Sequence, residues 1–124
     1  MNEYRSWDNR RKVMIEWDTI KSQRLLHNLM DDPNVTLMQN TGIIDSNKNY
    51  IYDKDIVTVT LKDDNGIIYE NKSGIVRYYD FEWGIDMADE YWPVVSWSLV
   101  QSATVLTNVY ELHMLMTPYL SYTD

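Results

Sequence analysis

The chain has 124 residues, of which 44% are hydrophobic, and a formal net charge of −8 at pH 7. This length and hydrophobic content predict a single folded domain rather than a disordered chain. Cysteine is absent, which excludes disulfides, thiolate chemistry and cysteine-based zinc sites. No apolar run approaches the roughly 20 residues of a membrane-spanning helix, and the first residues contain no signal-peptide apolar segment, so we expect a cytoplasmic protein without a membrane partner.

The first third of the chain predicts a short strand followed by one helix. Residues 13–17 alternate bulky and polar side chains, as a strand does. In residues 19–30 the apolar positions fall largely on one helical face, and Thr19 or Ser22 is the expected N-cap. Pro33 follows the helix and starts an extended segment.

The middle of the chain is rich in strand and turn signals. The extended segment is expected to break at Thr41-Gly42, and a polar turn is expected over residues 45–49. The β-branched run over residues 56–61 is the most strand-like in the chain. The Asn65-Gly66 pair then predicts a hairpin that returns along residues 67–69.

The remaining elements complete a mainly β prediction. Residues 72–74 are expected to turn into a strand over 75–79, and residues 83–85 to form the next strand. After them we expect an acidic, aromatic loop over 88–93, strands over 96–100 and 103–106, and a turn or short helix over 109–119. Short strands with frequent turn signals predict a β-rich α+β domain, namely a small, SH3-like, partly closed β-barrel with an N-terminal strand and helix. We divide the domain into an N-terminal segment over 1–33, a barrel core over 34–111 and a tail over 112–124.

Charge is unevenly distributed along the chain. Residues 1–77 hold 12 acidic and all 11 basic residues, a net charge of −1, whereas residues 78–124 hold seven acidic residues and no basic one, a net charge of −7. An acidic half repels nucleic acid and favours a basic partner surface. Solubility is the simpler explanation, and the alternative is that the acidic end of one subunit meets the basic N-terminal end of another. The candidate partner-binding residues are the acidic and aromatic side chains Asp80, Glu82, Trp83, Asp86, Asp89, Glu90, Tyr91 and Trp92.

Searches for metal and catalytic chemistry find no candidate. The turn from Asp45 to Asn49 begins like a calcium loop, but Tyr50 stands where that loop needs glycine and Ile56 where it needs a bidentate glutamate. The two histidines are far apart in sequence, and the four glycines form no phosphate-binding motif. No serine lies in a nucleophile-elbow sequence. We therefore predict a protein without catalytic residues, metal, cofactor or small-molecule ligand.

Direct nucleic-acid binding is also not expected. The triplet Arg10-Arg11-Lys12 is the only cluster of three basic residues, and acidic residues follow it closely. Phosphate contacts supply most of the affinity of nucleic-acid-binding proteins, so a net charge of −8 is unfavourable for this function.

Several blocks of sequence together resemble one known family. The blocks are Tyr4-Arg5-x-Trp7-Asp8, then Leu37-Met38-Gln39-x-Thr41-Gly42 with Asp45 and Ile51-Tyr52-x-x-Asp55-Ile56-Val57, then Gly74-Ile75-Val76-x-Tyr78, and finally Asn108-Val109-Tyr110-Glu111. In this order they are similar to the YopX family, small proteins found mostly in phages and prophages. The chain departs from the family pattern at Lys54 and Thr107, where glycine is common.

We expect the motif residues to specify the fold rather than to carry chemistry. Thr41-Gly42 supplies a backbone bend, Asp45 holds a turn, and Asp55 and Asn108 cap unpaired amides. The residues concerned are Trp7, Asp8, Met38, Gln39, Thr41, Gly42, Asp45, Tyr52, Asp55, Ile56, Val57, Gly74, Asn108, Tyr110 and Glu111.

Three functions remain open at this point. The resemblance implies a phage or prophage accessory protein that self-associates and binds another protein without catalysis. The acidic half of the chain makes a basic host protein the candidate partner. The second hypothesis is an acidic inhibitor of a host nucleic-acid-binding protein. In it carboxylates imitate phosphates, and Asp80 and Glu82 share one face of a strand. The third is an enzyme of unrecognised type.

Overall fold

A computed structural model describes residues 3–23, 26–87 and 94–113. The strands within these residues are β1 (Tyr4–Asp8), β2 (Val13–Ile15), β3 (Val35–Ile44), β4 (Tyr50–Tyr52), β5 (Asp55–Lys62), β6 (Ile68–Tyr79), β7 (Glu82–Asp86), β8 (Val94–Ser96) and β9 (Val100–Asn108). Two helices, α1 (Trp17–Gln23) and α2 (Leu26–Met30), lie between β2 and β3, and a 3₁₀ turn over Trp97–Leu99 joins β8 to β9. Residues 109–113 are helical.

The strands form two antiparallel sheets. The first has four strands in the order β2-β1-β3-β4, and the second has five in the order β8-β7-β6-β5-β9. In the second sheet β5 to β8 follow one another as neighbours, and β9 returns across the 3₁₀ turn to pair with β5. A five-stranded meander whose last strand pairs with its first is the strand order of SH3-like barrels. The mainly β prediction is therefore confirmed.

The main core is formed by the inner face of the five-stranded sheet. Along β5 the buried positions alternate, so that Val57, Val59 and Leu61 all lie on one face. They pack with Val76 of β6 and Ile85 of β7, both fully buried. Burying such a side chain stabilises the fold by about 1.5–3 kcal/mol, so this face holds the five-stranded sheet together.

The N-terminal segment and the predicted barrel core share a sheet. Strand β1 pairs with β3 along its whole length, from Tyr4 opposite Gln39 to Asp8 opposite Val35. Helix α1 covers this sheet, because Ile20 is fully buried and the Trp17 ring lies 6.4 Å from that of Tyr4.

The N-terminal elements begin and end at residues other than those predicted. Strand β2 ends at Ile15, and Trp17, predicted as strand, is the first residue of α1. The carbonyl oxygen of Glu16 accepts hydrogen bonds from the backbone of Thr19 and Ile20, each at 3.1 Å, so the helix starts two residues early. Neither predicted N-cap residue therefore stands at the start of α1.

The predicted break at Thr41-Gly42 is a bend inside one strand. Strand β3 continues to Ile44, and its pairing with β4 shifts register between Asn40 and Ile44. Gly42 has φ +81°, which glycine adopts without the steric cost of a side chain. The prediction of a bend was right, and the prediction that the strand ends was wrong.

The predicted turn over residues 72–74 is also wrong. Strand β6 runs through it to Tyr79, with a β-bulge where its register against β5 shifts between Val59 and Leu61. Gly74 is present for a different reason. A Cβ atom there would lie 2.4 Å from Cγ2 of Ile85, so glycine allows β7 to pack closely.

Near the C-terminus one further prediction needs correction. The strand expected over 96–100 is divided, because Ser96 ends β8 and residues 97–99 form the 3₁₀ turn. The Ser96 hydroxyl accepts from the backbone N–H of Ser98 at 3.3 Å and caps that turn. The loop predicted over 88–93 lies outside the described residues.

Candidate functional site

Most of the motif residues lie where the two sheets are joined, which we call the sheet junction. At its centre Asp55, fully buried, forms an ion pair with Arg5 of β1 and accepts a hydrogen bond from the backbone N–H of Tyr52 at 2.8 Å. The Arg5 guanidinium carbon also lies 4.4 Å from the centroid of the Tyr52 ring. Burial raises the pKa of Asp55 above its ordinary value, although the Arg5 charge opposes the rise.

Asp45 provides a second link across the sheet junction. Its Oδ1 accepts from the backbone N–H groups of Asn47 and Asn49, each at 2.9 Å, and its Oδ2 accepts from that of Val105 in β9 at 3.0 Å. Burial would raise the pKa of Asp45, but these three hydrogen bonds outweigh it and lower the pKa below its ordinary value. The carboxylate thus closes the β3–β4 turn and fastens it to the second sheet.

Backbone contacts and ring packing complete the sheet junction. The Thr41 hydroxyl donates to the carbonyl oxygen of Ile51 at 2.7 Å. The Trp7 ring, 3% exposed, stacks on that of Tyr110 with centroids 5.8 Å apart. Buried Asn108 accepts from the backbone N–H groups of Tyr110 and Glu111 at 3.1 and 3.0 Å.

The other motif residues lie in strands and turns. Met38 and Val57 are fully buried, and Ile56 is half-buried. The Gln39 side chain is exposed, and the backbone carbonyl oxygen of Gln39 accepts from the backbone N–H of Asp53 at 2.8 Å. Asp8 is the last residue of β1, and its carboxylate accepts two backbone hydrogen bonds from the turn that follows.

The second candidate region is the connection between β6 and β7, whose residues Tyr79, Asp80, Phe81 and Glu82 we call the hairpin tip. Tyr79 pairs with Glu82, so Asp80 and Phe81 form a two-residue turn. Their φ angles are +51° and +66°, the signature of a type I′ turn, but neither residue is glycine. Phe81 is 89% exposed and Tyr79 is 61% exposed. Tyr78, one residue earlier, is also exposed.

A cleft of about 210 Å³ separates the hairpin tip from β8. Its lining combines two carboxylates with apolar and small residues, namely Tyr79, Asp80, Glu82, Gly84, Val94, Val95 and Ser96. Gly84 lets β8 approach, since a Cβ atom there would lie 2.8 Å from the carbonyl oxygen of Val95. The cleft is open, and aromatic and acidic groups meet at its rim.

The structure separates the predicted partner-binding residues into groups. Asp80 and Glu82 lie at the hairpin tip, but Asp80 is in the turn, so the prediction that they share a strand face is wrong. Trp83 packs against the main core, and its ring meets that of Tyr78 edge-on at 5.1 Å. Asp86, at the other end of β7, lies 3.5 Å from Nε of Arg77. Asp89, Glu90, Tyr91 and Trp92 lie outside the described residues.

The positions of Asp80, Glu82 and Asp86 count against the phosphate-imitation hypothesis. Mimicry needs a row of carboxylates at regular spacing, and Asp86 stands apart from the other two beside a cation. In residues 78–87, only Asp80 and Glu82 meet at one cleft.

Sequence reasoning missed Phe81. It is the only phenylalanine of the chain and stands between two acidic residues. The strands on either side were predicted, and the short spacing between them was the one signal of a tight turn. The turn contains no glycine or asparagine, so the usual composition signal was lacking.

In residues 3–23, 26–87 and 94–113, no three histidine or carboxylate side chains are grouped so as to hold a metal ion. Among the same residues, no helix has both the length and the apolar character needed to cross a bilayer.

The fold and the sequence are both similar to known proteins. Protein EF1440 from Enterococcus faecalis has a crystal structure that matches with a TM-score of 0.59 and covers 94% of this chain and 98% of that one. Its sequence identity is 16%, so this likeness shows the fold alone. No curated protein matches the sequence. The sequence model of the family described as YopX protein matches residues 3–117. The chain therefore belongs to the YopX family.

Proposed function

We propose that the chain is a non-catalytic, self-associating protein-binding module, and that its binding surface is the hairpin tip. The observation that carries this proposal is Phe81, an aromatic side chain 89% exposed in a left-handed backbone conformation. The wider setting that we propose, from membership of the YopX family, is an accessory protein of a phage or prophage that acts in the cytoplasm of the host cell.

Phe81 is unfavourable for stability in two ways. A residue with a side chain in the left-handed region costs about 1–2 kcal/mol relative to the right-handed one. Its ring also remains in water, where burial of an aromatic side chain would have been favourable. Strained and exposed residues of this kind are typical of binding sites, because the partner covers the ring and preorganisation of the turn lowers the cost of binding.

The charge of the hairpin tip indicates a basic partner. Asp80 and Glu82 flank Phe81, and no basic residue occurs anywhere after Arg77. An aromatic ring between two carboxylates suits a cationic side chain, which interacts with the ring face and pairs with the carboxylates. A basic surface on another protein is therefore the partner class that the hairpin tip fits.

Capture of partners from a host-cell lysate by the tagged chain, with mass spectrometry of the bound proteins, tests the proposal. The informative variant is Asp80→Asn with Phe81→Gly, which keeps the type I′ turn and removes the ring and one charge. The matched control is Asp64→Asn with Ile67→Ser, which removes one carboxylate and one exposed apolar side chain from the β5–β6 hairpin.

We expect a basic protein to bind the wild type and the control, and to be lost with the tip variant. A partner that binds all three proteins equally would contradict the hairpin tip as the binding surface.

A further inference from the structure

We infer that the hairpin tip of one copy binds the turn between β1 and β2 of a second copy. We call that turn, residues 9–12, the basic turn. The inference rests on the proposed function and goes further by naming the partner of the self-association and the two surfaces that meet.

The basic turn displays cations on a fixed backbone. The Asp8 carboxylate accepts from the backbone N–H groups of Arg10 and Arg11 at 2.9 and 3.1 Å, and the Asp8 carbonyl oxygen accepts from that of Lys12 at 2.8 Å. The N–H of Arg11 is the main reason why the pKa of Asp8 lies below its ordinary value. The turn is therefore held from inside by Asp8, while all three basic residues are exposed.

Within one copy, the guanidinium groups of Arg10 and Arg11 use only some of their N–H donors. The Arg11 side chain is 81% exposed, and its Nε lies 3.8 Å from Oδ2 of Asp8, the limit of a loose ion pair. The Arg10 guanidinium lies against the side-chain amide of Asn34. With the amide oxygen turned toward Arg10, that oxygen accepts from Nε at 3.2 Å and from one terminal nitrogen. Both groups keep faces and N–H donors that another molecule can use.

The hairpin tip has the matching chemistry. In the part of the chain that the structure describes, Asp80 and Glu82 form no ion pair, so their charges are not neutralised by a neighbour. Phe81 offers an exposed ring face between them. A guanidinium group binds such a site by stacking on the ring and by donating to the carboxylates.

Charge also decides which pairing is possible between two identical chains. A contact that sets two acidic hairpin tips, or two basic turns, against each other is disfavoured, because like charges repel. A contact between unlike surfaces avoids this repulsion. It is either a reciprocal two-fold contact, in which both pairings form between the same two copies, or a heterologous contact, in which each copy uses its hairpin tip on one neighbour and its basic turn on another. The reciprocal contact gives a dimer, and heterologous contacts close into a ring or extend into a chain.

Complementary variants test this arrangement directly. The tip variant, Asp80→Asn with Phe81→Gly, keeps the basic turn, and the turn variant, Arg10→Gln with Arg11→Gln and Lys12→Gln, keeps the hairpin tip. Light scattering after size exclusion gives the molar mass of each variant alone and of their equimolar mixture. Circular dichroism and urea unfolding of each variant establish that it is folded.

We expect the wild type to rise above the monomer mass of 14.8 kDa as its concentration increases. Each variant alone should remain near that mass, and the mixture should reach about twice the mass and no more, since each partner then has one usable surface. Raising the salt from about 0.05 to about 0.5 M should weaken the mixed dimer at least tenfold, because the contact is between exposed charges.

Other outcomes would overturn the inference. A wild type that stays monomeric at high concentration excludes self-association through any surface. A turn variant that associates like the wild type, while the tip variant does not, shows that the hairpin tip contacts a surface other than the basic turn. A mixture that stays monomeric while the hairpin tip still captures a host protein overturns this inference and leaves the proposed function standing.

A charge-reversed pair guards against variants that fail to fold. Asp80→Lys with Glu82→Lys should dissociate the assembly, and so should Arg10→Glu with Arg11→Glu. Mixing these two reversed proteins should restore association, because the unchanged basic turn of one meets the unchanged hairpin tip of the other and the two reversed surfaces are also complementary in charge. One chain carrying all four changes should associate again. Failure of the four-change chain to associate, when it is folded, would overturn the pairing.

Discussion

The sheet junction and the hairpin tip differ in how their polar and aromatic groups are used. At the sheet junction Asp45 and Asp55 are buried, and each accepts hydrogen bonds from other parts of the chain. At the hairpin tip Asp80 and Phe81 are exposed, and the backbone that carries them is in the left-handed region. The motif residues are therefore occupied by the fold, and the groups still available for a partner lie outside the set of motif residues.

The β5–β6 and β6–β7 turns of the five-stranded sheet also differ in whether the fold relieves backbone strain. The β5–β6 turn places Gly66 at φ +80°, so that glycine relieves the strain. The β6–β7 turn places Asp80 and Phe81 in the same region without glycine. One turn is built for stability, and the other keeps a strained aromatic residue at its end.

The largest expected effect is at the sheet junction. Arg5→Met leaves the Asp55 carboxylate buried without its cation, which should lower the free energy of unfolding by about 3–5 kcal/mol. Urea unfolding measures the loss. The matched control is Arg11→Met, which breaks an exposed ion pair and should cost at most about 1 kcal/mol. Equal losses for the two variants would contradict the structural role of the buried pair.

Next in size is the close approach of β6 and β7 at Gly74. Gly74→Ala puts a methyl group 2.4 Å from Cγ2 of Ile85 and 2.7 Å from the carbonyl oxygen of Asp86, so one strand must move. We expect a loss of about 1–3 kcal/mol, the usual range for overpacking. Ser73→Ala on the same strand is exposed and should change the stability by less than about 0.5 kcal/mol. A Gly74→Ala protein as stable as the wild type would show that the two strands are not packed this closely.

The lowered pKa of Asp45 predicts that the free energy of unfolding depends on pH. Its folded pKa lies below the ordinary value of 3.8, so its stabilising contribution is complete above that value and is lost as the pH falls through the folded pKa. Asp45→Asn should cost about 1–3 kcal/mol at neutral pH, because its amide cannot accept all three backbone hydrogen bonds. The difference from the wild type should shrink toward zero in acid.

Urea unfolding of the wild type and Asp45→Asn across the acid range measures this difference. Asp64→Asn, an exposed carboxylate, is the control and should cost less than about 0.5 kcal/mol at neutral pH. A cost for Asp45→Asn that does not change as the pH is lowered would contradict the proposed role of the charge.

The smallest expected effect on stability is at the hairpin tip, and its sign is opposite. Asp80→Asn with Phe81→Gly supplies the residues that a type I′ turn prefers, so the free energy of unfolding should rise by about 0.5–1 kcal/mol. Thermal and urea unfolding measure the change. A loss of more than about 1 kcal/mol would show that the Phe81 ring contributes to the fold.

The sequence predicted the elements whose signals are local. The alternation of Val57, Val59 and Leu61 and the Asn65-Gly66 pair identified the central hairpin. Both signals come from residues that are close together in the sequence. Strand β1 was not predicted. Arg5, in its middle, looks like a surface residue until Asp55, 50 residues later, folds against it. Contacts of such sequence separation cannot be read from either residue alone.

The candidate site was predicted in part for the same reason. The uneven charge directed attention to the half of the chain after Arg77, and Asp80 and Glu82 lie at the hairpin tip within it. Phe81 was missed because its conformation depends on the pairing of β6 and β7 rather than on its own preference. Gly74 was assigned to a turn because the need for a small residue comes from Ile85 on the next strand.

The molar mass and the free energy of unfolding of the Asp80→Asn, Phe81→Gly protein, measured on one preparation, test the central claim most directly. We predict that it stays near 14.8 kDa at concentrations where the wild type associates, and that its stability equals or exceeds that of the wild type. A mass equal to that of the wild type at every concentration, or a loss of stability that accounts for the dissociation, would contradict the division between a structural sheet junction and a binding hairpin tip.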